Sequence, residues 1–192
     1  MKNLIISLLL TLSLLTTVFG QDFVRTEKFK LTDIKQISDS SYYSLTADEQ
    51  KNIVDTLFLY EEPNDKSILY KFCVNYDPVS EFDYQIFELK NPNLRGVKNI
   101  IQVRIDSYTC CSTVNTYYLF INDNGSIHEL PNIEYVYCDG QQPFLEYRFP
   151  SQKFGQENKI LRTKSFPNEN WVVDSVQVEV IYELKGLNTF DN

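Results

Sequence analysis

Along most of this chain apolar and polar residues alternate one by one. Ile101, Val103 and Ile105 alternate with Gln102, Arg104 and Asp106, the period of two that places successive side chains on opposite faces of a β-strand. The pattern predicts a half-buried strand. Ile68, Tyr70, Phe72 and Val74 alternate in the same way and are expected to share one strand face. "FDYQIFEL", closed by "NPNLRG", is a further run. "NTYYLFI" meets "SIHEL" across Asn122-Asp123-Asn124-Gly125, where Asn-Gly is expected to supply the positive φ angles of a two-residue hairpin turn. "IEYVYC" and "PFLEYRF" flank Asp139-Gly140. "KILRTKSF" and "WVVDSVQVEVIYEL" follow, the latter with Val176, Val178, Val180 and Tyr182 expected on one side. Lys185-Gly186 then turns into a short tail that could form a last edge strand.

One segment departs from this period. Thr46 and Glu49 are spaced as a capping box, and Ile53, Val54, Leu57 and Phe58 fall on one face of a helix. Pro63 ends the pattern. The expectation is a mainly β fold, an antiparallel two-layer sandwich or open barrel-like meander, with one short amphipathic helix near its start. "DPVSEFDYQIF" and "DGQQPFLEYRF" resemble each other in part, but the match needs a one-residue shift and is read as chance. No linker or low-complexity tract divides the chain.

The first twenty residues follow a different logic. Lys2 is positive, Leu4 to Leu15 are apolar but for Ser7, Thr11 and Ser13, and Val18 and Gly20 are small. This is the pattern of a signal peptide cleaved after Gly20, too short for a bilayer span of about 20 apolar residues. The residue after the cut is Gln21, which excludes a lipid anchor on an N-terminal cysteine. Residues 21–192 then form a single exported domain, periplasmic or extracellular, with no later membrane span. Its size suits one hydrophobic core.

The chain's 192 residues carry a formal charge of −8. That charge argues against nucleic acid, whose binders need a phosphate-neutralising surface, and against anionic membranes. The six glycines sit in no phosphate-cradling loop, and no motif calls for a cofactor.

Four cysteines, Cys73, Cys110, Cys111 and Cys138, in an exported chain read first as disulfides. Zinc would want paired knuckles, and no CxxC is present for disulfide exchange. If the strand stays regular, Cys111 shares the face of Ile101, Val103 and Ile105 while Cys110 faces away. Neighbours on opposite faces choose different partners, so the favoured pairing is Cys73–Cys110 with Cys111–Cys138. A bulge at Thr109 would invert it, and a vicinal Cys110–Cys111 bridge would be strained.

Histidine catalysis would rest on His128 alone, with no GxSxG elbow, so His128 reads as a solvent-facing strand residue. Six acids, Glu61, Glu62, Asp65, Asp77, Glu81 and Asp83, cluster around expected turns. Two carboxyls could hydrolyse a glycosidic bond, and several could hold calcium, but acids in turns are ordinarily solvated, and no metal ligand set is assigned. "NDNG" fails as an EF-hand because Phe120 would occupy the first ligand position.

Thirteen tyrosines and thirteen phenylalanines leave aromatic binding surfaces open. Tyr117, Tyr118, Tyr135 and Tyr137 are the candidates. In a two-layer fold Tyr117 and Tyr118 cannot both be core, so one is expected to face solvent or a partner. A single tryptophan, Trp171, weakens the carbohydrate case. Asn124-Gly125-Ser126 is an N-glycosylation sequon in a glycosylating eukaryote. The leading expectation is a non-catalytic binding or structural module with a protein or glycan ligand. The alternative is a carboxylate-based hydrolase acting on a polysaccharide.

Overall fold

The computed structural model describes residues 22–31, 54–61, 68–75, 81–108, 111–138, 143–170, 172–184 and 190–191. Among these residues every regular element is a β-strand. In chain order they are β1 (Val24–Arg25), β2 (Phe29–Leu31), β3 (Val54–Glu61), β4 (Ile68–Asn75), β5 (Glu81–Lys90), β6 (Val97–Tyr108) and β7 (Ser112–Asn122). Then follow β8 (Ile127–Glu129), β9 (Ile133–Tyr137), β10 (Phe144–Arg148), β11 (Lys159–Pro167), β12 (Val173–Leu184) and β13 (Phe190–Asp191).

Three antiparallel sheets result. The central one runs β1-β5-β6-β7, and both β8 and β9 pair with β7. β8 takes its stretch from Leu119 to Ile121 and β9 takes Ser112 to Thr116, so the two short strands lie end to end along one edge. The second sheet is β2-β3-β4 and the third β10-β11-β12-β13. None closes into a barrel.

Register explains where the core lies. Val103 is opposite Tyr117 and Ile101 opposite Leu119, on one face of the central sheet. With Ile86 and Ile105 they pack against Phe29, Leu31, Leu57, Leu59 and Phe72 of the β2-β3-β4 sheet. Ile100 is opposite Phe120 and Gln102 opposite Tyr118, on the other face. There Leu89, Ile100, Tyr118 and Phe120 meet Leu130, Ile133, Tyr147, Phe149, Ile160 and Tyr182. The central sheet is therefore buried on both faces, where two layers with one core were expected. Each fully buried side chain of this size stabilises the fold by about 1.5–3 kcal/mol.

The two-sided burial corrects the reading of the tyrosine pair. Tyr117 and Tyr118 are 6% and 0% exposed, because each face has its own cover. Tyr118 can be buried because its hydroxyl is bonded: Gln102 Nε2 donates to it at 2.8 Å and the Tyr147 amide at 3.3 Å.

The expected helix is corrected in its second half. The capping box and Ile53 lie outside the described residues, but Val54–Glu61 is strand β3, with Leu57 and Leu59 buried. Leu57 and Leu59 satisfy a period of two as well as Leu57 and Phe58 satisfy a helical one, and short apolar runs do not separate the two. Pairing with β4 on one side and β2 on the other decides it.

Two bulges move residues off their expected faces. Leu59 pairs with Tyr70 while Tyr60 pairs with Ile68, so one residue of β4 is extra. Ile68 is thereby 57% exposed, and Leu69 packs on the core in its place. On β12, Arg162 pairs with Val180 and Thr163 with Val178. Val178 and Val180 therefore point to opposite faces: Val180 joins the core and Val178 is exposed.

Candidate functional site

The cysteines close the central sheet. β6 ends at Tyr108 and β7 begins at Ser112, so Cys111 stands in the connection and the alternation of β6 does not extend to it. Ser112 is opposite Tyr137, which makes Cys111 and Cys138 the next facing pair. They form a disulfide with a Cα–Cα distance of 4.3 Å. Cys111 is half-buried and Cys138 exposed, so the bridge clamps an end of the sheet and is not core. Cys110 and the Cys73 side chain lie outside the described residues.

Other candidates from the sequence are scattered. His128 is half-buried on β8, opposite Phe120. Glu61 belongs to β3 and pairs with Lys28 at 2.7 Å, and Asp83 is exposed on β5. Glu81 also belongs to β5, while Glu62, Asp65 and Asp77 lie outside the described residues. Tyr135 is half-buried against the second core, and the Tyr137 side chain is not described. Among the described residues no three His, Cys, Asp or Glu side chains are grouped to hold a metal.

A different set of residues converges on a cleft of about 350 Å³, lined by Asp22, Phe23, Phe87, Gln102, Glu146, Arg148, Gln152, Lys153, Val172 and Val173. The strand period builds it. In β10, Tyr147 points into the second core, and so does Phe149 just beyond the strand. Glu146 and Arg148 therefore point the other way, toward the cleft. Arg148 is almost wholly buried. Its Nη2 binds Glu146 Oε1 at 2.5 Å and its Nη1 donates to the Lys153 carbonyl at 3.0 Å. Ser165 Oγ on β11 donates to the same carboxylate oxygen. Arg148 Nε, also buried, has no partner among the described residues.

Burial raises the Glu146 pKa, and the Arg148 charge and the Ser165 hydroxyl pull it only partly back. Asp22, at the cleft rim, adds a smaller push upward.

Local structure holds the rest of the wall. The Phe149 amide donates to Gln152 Oε1 at 3.0 Å and the Gln152 amide to the Phe149 carbonyl at 2.9 Å, a reciprocal turn that fixes Gln152. Gly155 closes the same loop, donating to the Gln152 carbonyl at 2.9 Å. A Cβ there would lie 2.0 Å from the Phe149 oxygen, so only glycine fits. Asn168 Oδ1 accepts from the amides of Asn170 and Val172 at 3.0 and 3.1 Å, ordering the turn that presents Val172. Lys153 Nζ donates to the Val173 carbonyl at 3.1 Å. Phe23 stacks edge-on against Tyr118 and Phe149.

A second hollow of about 410 Å³ lies on the rim, lined by Asp22, Val24, Arg25, Thr26, Glu88 and Lys90. It lacks the buried guanidinium and amide groups of the first.

Glu146, Arg148, Gln102 and Gln152 belong to no motif in the amino-acid sequence. One signal was present: in "FLEYRF" an acid and an arginine two residues apart share a face, with large aromatics on the other. No protein-family model, curated protein or solved structure matches this chain.

Proposed function

We propose that the protein is an exported, disulfide-braced binding module whose ligand site is the cleft between β10 and the central sheet. The observation that carries this reading is the convergence of Glu146, Arg148, Gln102 and Gln152 on one hollow walled by Phe23 and Phe87. A concave site with apolar walls and a few placed polar groups is the usual form of a small-ligand site. The Cys111–Cys138 bridge supports export, since disulfides persist in oxidising compartments. Two measurements test the reading. Mass spectrometry of the native protein is expected to find Gln21 at its amino terminus. Tagged protein incubated in native medium is expected to retain a component that a Phe87→Ala/Gln102→Met variant loses, and equal recovery by both would count against the cleft.

Hydrolysis of a polysaccharide is a second reading, favoured by one observation. Asp22 and Glu146 line the same cleft, and burial raises the Glu146 pKa, as an acid catalyst beside a second carboxyl requires. Release of reducing sugar by the wild type, abolished in Glu146→Gln, would decide for the enzyme.

A further inference from the structure

We propose that the cleft takes a neutral, hydroxyl-rich ligand, one or two pyranose rings of a glycan; this rests on the binding reading. The charged groups of the lining are largely engaged already. Arg148 and Glu146 are paired at 2.5 Å. Lys153 Nζ is held by the Val173 carbonyl and sits 4.6 Å from the centre of the Phe154 ring. Three of the four charged side chains in the lining are thus engaged within the wall, and the fourth, Asp22, is exposed at the rim. A charged ligand entering here would lose its hydration and meet a carboxylate and a guanidinium already neutralising each other, an unfavourable exchange in a partly dry site.

The uncharged groups are arranged otherwise. Gln102 uses Nε2 on Tyr118, and Gln152 uses Oε1 on the Phe149 amide. Those bonds use one end of each amide and leave the other, Gln102 Oε1 and Gln152 Nε2, for the cleft that both residues line. One is an acceptor and the other a donor, each fixed in orientation by the bond behind it. Hydroxyl groups both donate and accept, so a polyol satisfies the two amides together, while an amine or a carboxylate satisfies only one. Phe23 and Phe87 give the same cleft two phenyl rings, apolar surfaces that suit the C–H faces of a sugar ring.

The test is titration of ¹⁵N-labelled mature protein with cellobiose, maltose, lactose and chitobiose, and with the zwitterionic dipeptide Gly-Leu. At least one disaccharide is expected to shift the Gln102 and Gln152 side-chain amides and the Phe87 backbone amide. Its affinity should change less than twofold between 50 and 500 mM salt. Gln102→Met, which keeps the shape but not the acceptor, should weaken it at least tenfold. Phe87→Ala, which removes a ring opposite Gln102 but no hydrogen-bonding side-chain group, should do the same if the first variant misfolds. Disaccharide shifts confined to other surfaces, or none with all four, would overturn the ligand class. Binding of Gly-Leu at these residues without any disaccharide would overturn it too while leaving the cleft a binding site. Equal capture by the wild type and the cleft variant in native medium is the separate failure of the binding reading.

Discussion

Removing the Cys111–Cys138 bridge should destabilise the domain almost entirely through its unfolded state. Cys111 is half-buried and Cys138 exposed, so deleting the sulfurs opens no core cavity. The strands also retain their facing partner pair at Ser112 and Tyr137. What changes is the freedom of the unfolded chain. The bridge spans 27 residues, and the loop-closure relation for that length gives about 12 cal/mol/K, or about 3.5 kcal/mol at 25 °C. Both cysteines must be replaced, because Cys110 adjoins Cys111 in sequence and could take its place opposite Cys138. With a urea slope of about 2 kcal/mol/M, the Cys111→Ser/Cys138→Ser variant should unfold at a midpoint lower by about 1.5–2 M. Hydrogen exchange in β9 should quicken in the folded protein, since among the described residues β9 joins the central sheet only through β7. A loss below about 1 kcal/mol with an unchanged slope would instead show that the bridge restrains little that the sheet does not.

Three further outcomes follow from the same structure. Gly155→Ala should cost more than Gly125→Ala: the first drives a Cβ against the Phe149 carbonyl, whereas the second meets nothing within 4 Å and suffers only its φ of +81°. Denaturant melts should show about 1–3 kcal/mol for the first and about 1 kcal/mol for the second. Glu129 has its pKa raised by burial, partly countered by the Tyr70 hydroxyl donating at 2.7 Å. A carboxyl whose pKa is higher folded than unfolded contributes most below its unfolded value of about 4.3, and that contribution is lost as pH rises through the folded value. The stability of the wild type relative to Glu129→Gln should therefore fall as pH rises above about 4.3, and a difference that rises would reverse the assignment. Tyr70, pushed up to about 12 chiefly by burial and then by Glu129, should contribute an ionisation step well above pH 10 to a 295 nm titration. Tyr70→Phe should remove that step.

Strands β4 to β12 and most of their ends are legible in the amino-acid sequence alone. The alternation in β6, the place of the turn between β7 and β8, and the apolar runs of β10 to β12 all depend on neighbours a few residues apart. That turn holds three residues between Asn122 and Ser126 instead of the two expected, with Gly125 and not Asn124 at positive φ. Backbone geometry converts such spacing directly into faces and turns. It also supplied one correct bridge, Cys111–Cys138, although the alternation invoked for it stops at Tyr108.

Tertiary structure decided the rest. The segment after Ile53 has a pattern compatible with both helix and strand, and the β2 and β4 partners on its two sides make it β3. Tyr117 and Tyr118 are both core because two sheets cover the central one, and a single strand's pattern does not say how many layers will meet it. Bulges opposite Tyr60 and Thr163 shift Ile68 and Val178 to solvent, since one extra residue inverts every face beyond it. The cleft is the clearest case. Glu146 and Gln102 lie on different sheets, and only the packing of β10 on the central sheet brings a buried ion pair, two half-used amides and two phenyl rings into one hollow. Such a site depends on distances between strands far apart in the chain, which local periodicity does not encode.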